Sequence, residues 1–164
     1  MLLAACGLID GKEAVCPEVY IMEQAKKVTY FAPGSGRDLT DISYDVEIID
    51  VTYKCSSDID NDITIADLEI DILFEVKRGA SFDGTKFSFH YFSVVTFANE
   101  KILAKETFVI DGEFLTNQRN VFVVEEISHK IPIRVNSTVV SYRSLVGLQF
   151  SKSQLKEKRN SHNR

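Results

Sequence analysis

Features typical of a membrane-spanning protein, a nucleic-acid-binding protein or an enzyme are missing from these 164 residues. No apolar run approaches the ~18 residues that a transmembrane helix needs. The net charge of −5 provides no overall basic surface for a phosphate backbone, so we expect no nucleic-acid partner. No serine stands in a Gly-x-Ser-x-Gly motif, and no pair of acids lies in a recognisable catalytic frame. These absences favour a non-enzymatic protein.

Histidine is also scarce, and its placement predicts no histidine metal site. His90, His129 and His162 show no ligand spacing such as His-x-x-x-His. His90 lies among the aromatic residues of a predicted central strand, where a lone histidine is usually a hydrogen-bonded core residue. His129 lies three residues before Pro132, and we expect it to end a strand at the surface.

The residues that are present have the composition of one globular domain. A chain of this length buries enough surface to be stable as a single domain. Its 45% hydrophobic and 26% charged residues are typical of globular rather than disordered proteins. Because chain ends commonly fray, we expect the basic residues near the C-terminus to be solvated rather than to form a binding arm. These residues are Lys152, Lys156, Lys158, Arg159 and Arg164.

Alternating apolar and polar residues predict strands along most of the chain. The clearest strand covers residues 67–77, where apolar residues from Leu68 to Val76 alternate with charged ones. In the strand that begins at Ile42, the alternation of apolar and polar residues shifts by one position near Ile48 and Ile49. Either a β-bulge or a strand covered on both faces explains this shift. Further strands are predicted over 19–21, 87–97, 102–110, 121–132 and 139–150, with a turn at 111–112.

About seven strands with almost no helical periodicity predict an all-β fold. The expected architecture is a two-sheet antiparallel β-sandwich of immunoglobulin-like type. Ser151 and Gln154 have capping-box spacing, which predicts a short C-terminal helix of a turn or two followed by disorder. The predicted organisation is a signal-peptide remnant over 1–5, a tether over 6–15, the sandwich over 16–150, and the helix with its basic tail over 151–164.

The N-terminal segment Leu3-Ala4-Ala5-Cys6 is similar to the end of a lipoprotein signal. Small residues after an apolar stretch are typical of a secretory cleavage site, and Cys6 stands where a lipid is attached. The five residues before Cys6 contain neither a basic region nor the full apolar region of ~7–15 residues. Either the given start lies late within a longer signal, or the segment is an ordinary apolar end.

The other two cysteines, Cys16 and Cys55, form a possible disulfide pair. Such a pair is usually bridged in an oxidising compartment and reduced in the cytosol. A bridge closes a loop of 39 residues, which the chain-entropy model values at roughly 4 kcal/mol. Two separate buried thiols are the alternative.

Three acidic residues offer a candidate calcium site. Asp58, Asp60 and Asp62 have the spacing of the first EF-hand ligands, whose oxygens suit a hard cation. Ile63 stands where an EF-hand requires glycine, and the flanks are predicted strands rather than helices. We therefore expect a solvated acidic hairpin, with a simpler Ca²⁺ site as the alternative.

The loop over residues 33–38 offers a candidate anion site. Backbone amides around Gly34 and Gly36, together with Arg37, can cradle an anion. The loop lacks the lysine and the following serine or threonine of a phosphate loop. We expect a structural turn, in which the glycines serve tight backbone bends.

Several segments together resemble an uncharacterised family of small bacterial envelope lipoproteins. They are Cys6, Cys16-Pro17, Phe31-x-Pro33-Gly34-x-Gly36-Arg37-Asp38-Leu39-Thr40-Asp41, Cys55 and Val146-Gly147-Leu148-Gln149-Phe150. The resemblance implies an exported domain anchored by lipid at Cys6, with Cys16 bridged to Cys55, and it implies no activity. Leu8, rather than an aspartate, stands two places after Cys6, so the resemblance favours the periplasmic face of the outer membrane.

Two functional hypotheses follow. The first is a non-enzymatic envelope lipoprotein that binds another envelope protein or supports an assembly, with edge strands as the docking surface. The second is a carrier that holds a lipid, a glycan fragment or Ca²⁺ between its sheets or at the aspartates of residues 58–62. The aromatic residues of 87–97 are expected to fill the core rather than line a pocket. No cofactor is expected.

Overall fold

The computed structural model describes residues 16–34, 36–60, 63–98, 101–134 and 142–162. Within these ranges the chain forms eight strands, two short 3-10 turns and one α-helix. Their bounds are β1 Glu18–Ile21, β2 Lys27–Phe31, β3 Ile42–Asp60, β4 Ile63–Arg78, β5 Lys86–Phe97, β6 Lys101–Glu113, β7 Asn120–Arg134, β8 Tyr142–Leu148 and α1 Lys152–His162, with 3-10 turns at Glu23–Ala25 and Leu39–Asp41. The predicted signal remnant and tether, with Cys6 and Leu8, lie outside the described residues.

The strands form two four-stranded sheets that pack face to face. Sheet A has the order β1-β8-β5-β6, and sheet B has the order β2-β3-β4-β7. Every pair is antiparallel except β1 with β8, which is parallel. The predicted two-sheet β-sandwich is confirmed.

Inward-facing side chains of the central strands form the main core. On β4 the predicted alternation holds, and the five inward-facing apolar residues are fully buried: Leu68, Ile70, Ile72, Phe74 and Val76. Across the interface, the ring of Phe74 lies 5.2 Å from that of Phe89 and 5.1 Å from that of Tyr91, centroid to centroid. Burial of such aromatic and branched side chains is the dominant stabilising contribution to a sandwich.

The phase shift in β3 is a β-bulge. Ile48 pairs with Phe74 and Asp50 pairs with Leu73, so Ile49 has no partner of its own. Ile48 is fully buried, whereas Ile49 is 39% exposed. Because of this extra residue, the apolar residues in the second half of the strand again lie on the side that faces the core.

Two boundaries differ from the prediction. Asp111 and Gly112 form no turn, because both lie inside β6. A Cβ on Gly112 would collide with the ring of Phe87 across the pair, so close side-chain packing explains this glycine. β7 does not end at Pro132 but continues to Arg134, because an edge strand tolerates the lost amide donor.

Helix α1 begins directly after the predicted capping box. The Ser151 amide donates to Gln154 Oε1 at 2.8 Å, and the Gln154 amide donates to Ser151 Oγ at 3.3 Å. The helix has 11 residues, longer than the turn or two expected. The basic residues from Lys152 to Arg159 are therefore helical, and Arg164 lies outside the described residues.

Cys16 and Cys55 form a disulfide, with an S–S distance of 2.10 Å. Cys16 stands just before β1 of sheet A, and Cys55 lies on β3 of sheet B, packed against the core. The bridge therefore links the two sheets and excludes the alternative of separate thiols.

Across the described ranges, no helix has both the length and the apolar character that crossing a bilayer requires.

Candidate functional site

A cleft of about 510 Å³ opens between β6 and β7. These strands are the outer strands of sheets A and B, and no ladder joins them within the described residues. Pockets of roughly 300–1,000 Å³ with mainly apolar linings are typical of small organic ligands. The apolar part of the lining comes from both sheets and comprises Val95, Phe97, Leu103, Ala104, Ile131, Pro132 and Tyr142.

A β-bulge shapes the wall that β6 contributes. Val95 pairs with Ala104 and Thr96 pairs with Ile102, which leaves Leu103 without a partner on β5. Bulges redirect side chains at sheet edges, and Leu103 here joins the cleft lining. The small side chain of Ala104 fills little of the space opposite Val95.

Ser93 and His129 make a polar contact at the buried side of the cleft. Ser93 Oγ lies 2.8 Å from His129 Nε2, and it lies 3.5 Å from Ser144 Oγ on β8. Burial lowers the pKa of His129, and the nearby Glu106 carboxylate partly opposes this effect. The imidazole is therefore neutral at pH 7, with one nitrogen as donor and the other as acceptor.

Three charged residues line the cleft. Lys101 and Glu106 are paired in register with the inward-facing Phe97 and Ser93, so both lie on the interior face of β6. Among the described residues, neither Lys101 nor Glu106 has an ion-pair or hydrogen-bond partner. The third, Lys130, already pairs with Asp67 at 2.9 Å. The cleft thus offers one ammonium and one carboxylate to an occupant.

The predictions for two histidines were wrong in opposite directions. His90 is exposed, because the first half of β5 alternates and places it outward. His129 is only 9% exposed, because β7 continues well past it and Leu68 is its register partner. The sequence did contain a signal for this placement: at a period of two, His129 shares the face of Ile127 and Ile131, and both are buried.

The candidate anion loop is closed by its own side chains. Arg37 Nη1 donates to the carbonyl oxygens of Gly34 at 3.2 Å and Gly36 at 2.6 Å, and its guanidinium lies over the Phe31 ring. The carboxylate of Asp41 occupies the space beside Gly36 where a Cβ would stand. This geometry is that of a structural turn, and an anion site here stays a prediction.

Two of the candidate calcium residues, Asp58 and Asp60, lie near the end of β3. Asp58 pairs with Ile65 and Asp60 pairs with Ile63, so both belong to the ladder. Asp62 and the side chain of Asp60 lie outside what the structure describes. Within the described residues, no group of three acidic, histidine or cysteine side chains is placed to hold a metal.

No protein-family model, curated protein or solved structure matches this chain. The functional argument therefore depends on the cleft and its chemistry. An apolar wall suits hydrocarbon, and the His129 imidazole and the charges of Lys101 and Glu106 can orient a polar group.

Proposed function

We propose that the protein is a non-enzymatic, lipid-anchored domain of the bacterial envelope that carries a small amphipathic molecule between β6 and β7. The observation that carries this proposal is the cleft, which joins an apolar wall to the charges of Lys101 and Glu106, neither of which has an ion-pair partner among the described residues. The cleft has an apolar wall on one side and charged groups on the other. This combination favours a lipid over a glycan fragment as its occupant. Binding here needs no cofactor and no chemical step.

The cysteines support the proposed location in the envelope. A bridge such as Cys16–Cys55 persists in oxidising compartments, and the bacterial periplasm is one of them. Cys6 is the proposed site of lipid attachment, ten residues before the bridge. Leu8 supports retention at the periplasmic face of the outer membrane.

The ligand proposal is tested by titration with N-phenyl-1-naphthylamine, a neutral apolar dye that becomes fluorescent in dry pockets. We expect saturable binding to the unlipidated chain. Ala104→Trp places an indole in the cleft and should abolish the signal. Val109→Trp is the matched control, because Val109 lies on the same strand and is 55% exposed. Equal binding by both variants would exclude the cleft as the site.

The envelope location and the lipid anchor are tested by mass spectrometry of the mature protein together with fractionation and globomycin treatment. A lipid mass on Cys6 in the outer-membrane fraction supports the anchor, and Cys6→Ser should release the domain into the periplasm. An unmodified chain that begins at Met1 contradicts it.

A second candidate function is an interaction module for another envelope protein. The outer face of sheet B carries Phe122 and Val124, which are 61% and 65% exposed, beside the bulge residue Ile49. Val124 pairs with Leu73 of β4, and Leu73 pairs with Asp50 next to the bulge, so Leu73 lies between Val124 and the bulge in one row across the sheet. Exposed apolar patches of this kind mark interaction sites.

Co-purification from membranes tests the second candidate. Phe122→Ser with Val124→Ser should remove a specific partner, whereas the control Leu39→Ser, at a separate residue that is 83% exposed, should retain it. The interaction module is excluded if the partner set is the same for both proteins.

A further inference from the structure

The C-terminal segment that contains α1 carries the strongest local positive charge that the sequence provides. Residues 152–164 contain five of the 19 basic residues and one of the 24 acidic residues. Because these residues contribute +4 to a chain charge of −5, the rest of the chain carries −9. Charge is therefore separated between the sandwich and its C-terminal helix.

The helix is fixed to the sandwich by one side. Gln154 Nε2 donates to the Thr29 carbonyl oxygen at 3.3 Å, and Lys158 Nζ donates to the Gln24 carbonyl oxygen. The Lys158 ammonium also lies 4.6 Å from the centre of the Phe150 ring. Together with the capping box, these contacts orient α1, so its opposite side has a defined direction.

The opposite side is a basic stripe formed by Lys152, Leu155, Lys156 and Arg159. At 3.6 residues per turn these residues fall within about 100° of one another, away from Gln154 and Lys158. They line one shared surface depression. Among the described side chains, Lys152, Lys156 and Arg159 have no acidic or hydrogen-bond partner. Three oriented cations therefore face solvent next to a partly exposed leucine.

We propose that this basic stripe binds the anionic lipid headgroups of the membrane to which the domain is tethered. Charge complementarity identifies the occupant, because an acidic domain reaches an anionic surface favourably only through such a patch. With Leu155 as its single apolar residue, the stripe adsorbs at the headgroups and does not insert. The inference rests on the proposed envelope address and is independent of the cleft.

The length of the tether agrees with this role. The ten residues from Cys6 to Cys16 span at most about 36 Å when extended. An electrostatic contact with the headgroups adds to the membrane affinity that the lipid chains supply. Binding by the stripe would also orient the sandwich instead of leaving it free to pivot.

The test is co-sedimentation of the full chain carrying Cys6→Ser with vesicles of phosphatidylcholine, with or without phosphatidylglycerol. We expect binding only to the anionic vesicles, and its loss in 0.5 M NaCl, where the screening length is only about 4 Å. Replacing Lys152, Lys156 and Arg159 with glutamine should weaken partitioning about 100-fold, given about 1 kcal/mol per cation.

The matched control replaces Lys54, Lys86 and Arg119 with glutamine, which removes the same charge from exposed positions on the sandwich. It should reduce partitioning only slightly. No binding of the parent chain to anionic vesicles, equal loss in both triple variants, or binding that persists in high salt each overturns the proposal. Because the chain lacks its lipid and the substitutions in the stripe leave every residue of the cleft unchanged, these outcomes are separate from the tests of anchoring and carriage.

Discussion

Cys55 and His129 lie in one row across sheet B, both in register with Leu68. Cys55 is bonded to Cys16 ahead of sheet A, and His129 contacts Ser93 of sheet A at 2.8 Å. The two sheets are therefore joined at the same level by a covalent bridge on one side and by a hydrogen bond on the other. The hydrogen bond lies next to the cleft.

The His129 contact predicts a dependence of stability on pH. Burial lowers the pKa of His129 in the folded state, whereas the unfolded state retains about 6.5. As the pH falls below that value, the imidazole is protonated in the unfolded chain before it is protonated in the folded protein. The free energy of unfolding therefore decreases with falling pH until the folded-state pKa is passed. Glu106 is the charged group that opposes the effect.

Melting curves between pH 7.5 and pH 5 check this prediction. The melting temperature of the parent protein should fall more steeply than that of His129→Gln, which keeps a polar partner for Ser93. His90→Gln is the control, because His90 is exposed. Parallel curves for the parent and His129→Gln would contradict the assigned burial.

The disulfide predicts a large loss of stability on removal. Cys16→Ser with Cys55→Ser frees a 39-residue loop in the unfolded state, which lowers the free energy of unfolding by about 4 kcal/mol. For a domain of this size, that loss of stability lowers the melting temperature by about 10 °C. Calorimetry with and without reductant measures the change, and a parent protein that is insensitive to reductant would contradict the prediction.

Two tyrosines predict opposite effects of the same substitution. The Tyr91 hydroxyl is buried and has no hydrogen-bond partner among the described residues, and burial raises the pKa of Tyr91 to about 12. Tyr44 instead donates to the Ser88 carbonyl oxygen at 2.8 Å. Tyr91→Phe should therefore stabilise the fold by about 1 kcal/mol, and Tyr44→Phe should destabilise it by a similar amount.

Chemical denaturation of both variants gives the comparison directly. The expectation fails if Tyr91→Phe is the more destabilising of the two, since its hydroxyl would then have a partner in solution.

The capping box predicts local control of α1. Ser151→Ala removes the acceptor for the Gln154 amide, which costs a helix about 1 kcal/mol. Hydrogen exchange should become faster across α1 and stay unchanged in the fully buried part of β4. Ser88→Ala, at an exposed position of β5 away from the cap, is the control. Binding to anionic vesicles should weaken in Ser151→Ala, because the basic stripe loses its fixed orientation.

The fold was largely predictable because burial alternates with the strand period. The run from Leu68 to Val76 placed the core strand, and the phase shift at Ile49 indicated the bulge that β3 contains. Ser151 and Gln154 marked the start of α1 for a similarly local reason.

The cleft was not predictable, because it depends on how the two sheets stack and not on a local pattern along the chain. Ala104 and Ile131 line it only because β6 and β7 are the outer strands on the same side of the sandwich. Ser93 meets His129 across 36 residues. Gly112 was mistaken for a turn residue because the Phe87 ring that requires it comes from a different strand.

The central claim is that the cleft carries an amphipathic molecule, and the most direct test is analysis of what the protein retains. The full chain is purified from bacterial envelopes and extracted with organic solvent, and the extract is analysed by mass spectrometry. We predict one amphipathic species, near one molecule per protein, in the parent and in Val109→Trp, and its absence from Ala104→Trp. No such species in the parent, or an equal amount in Ala104→Trp, would contradict the account.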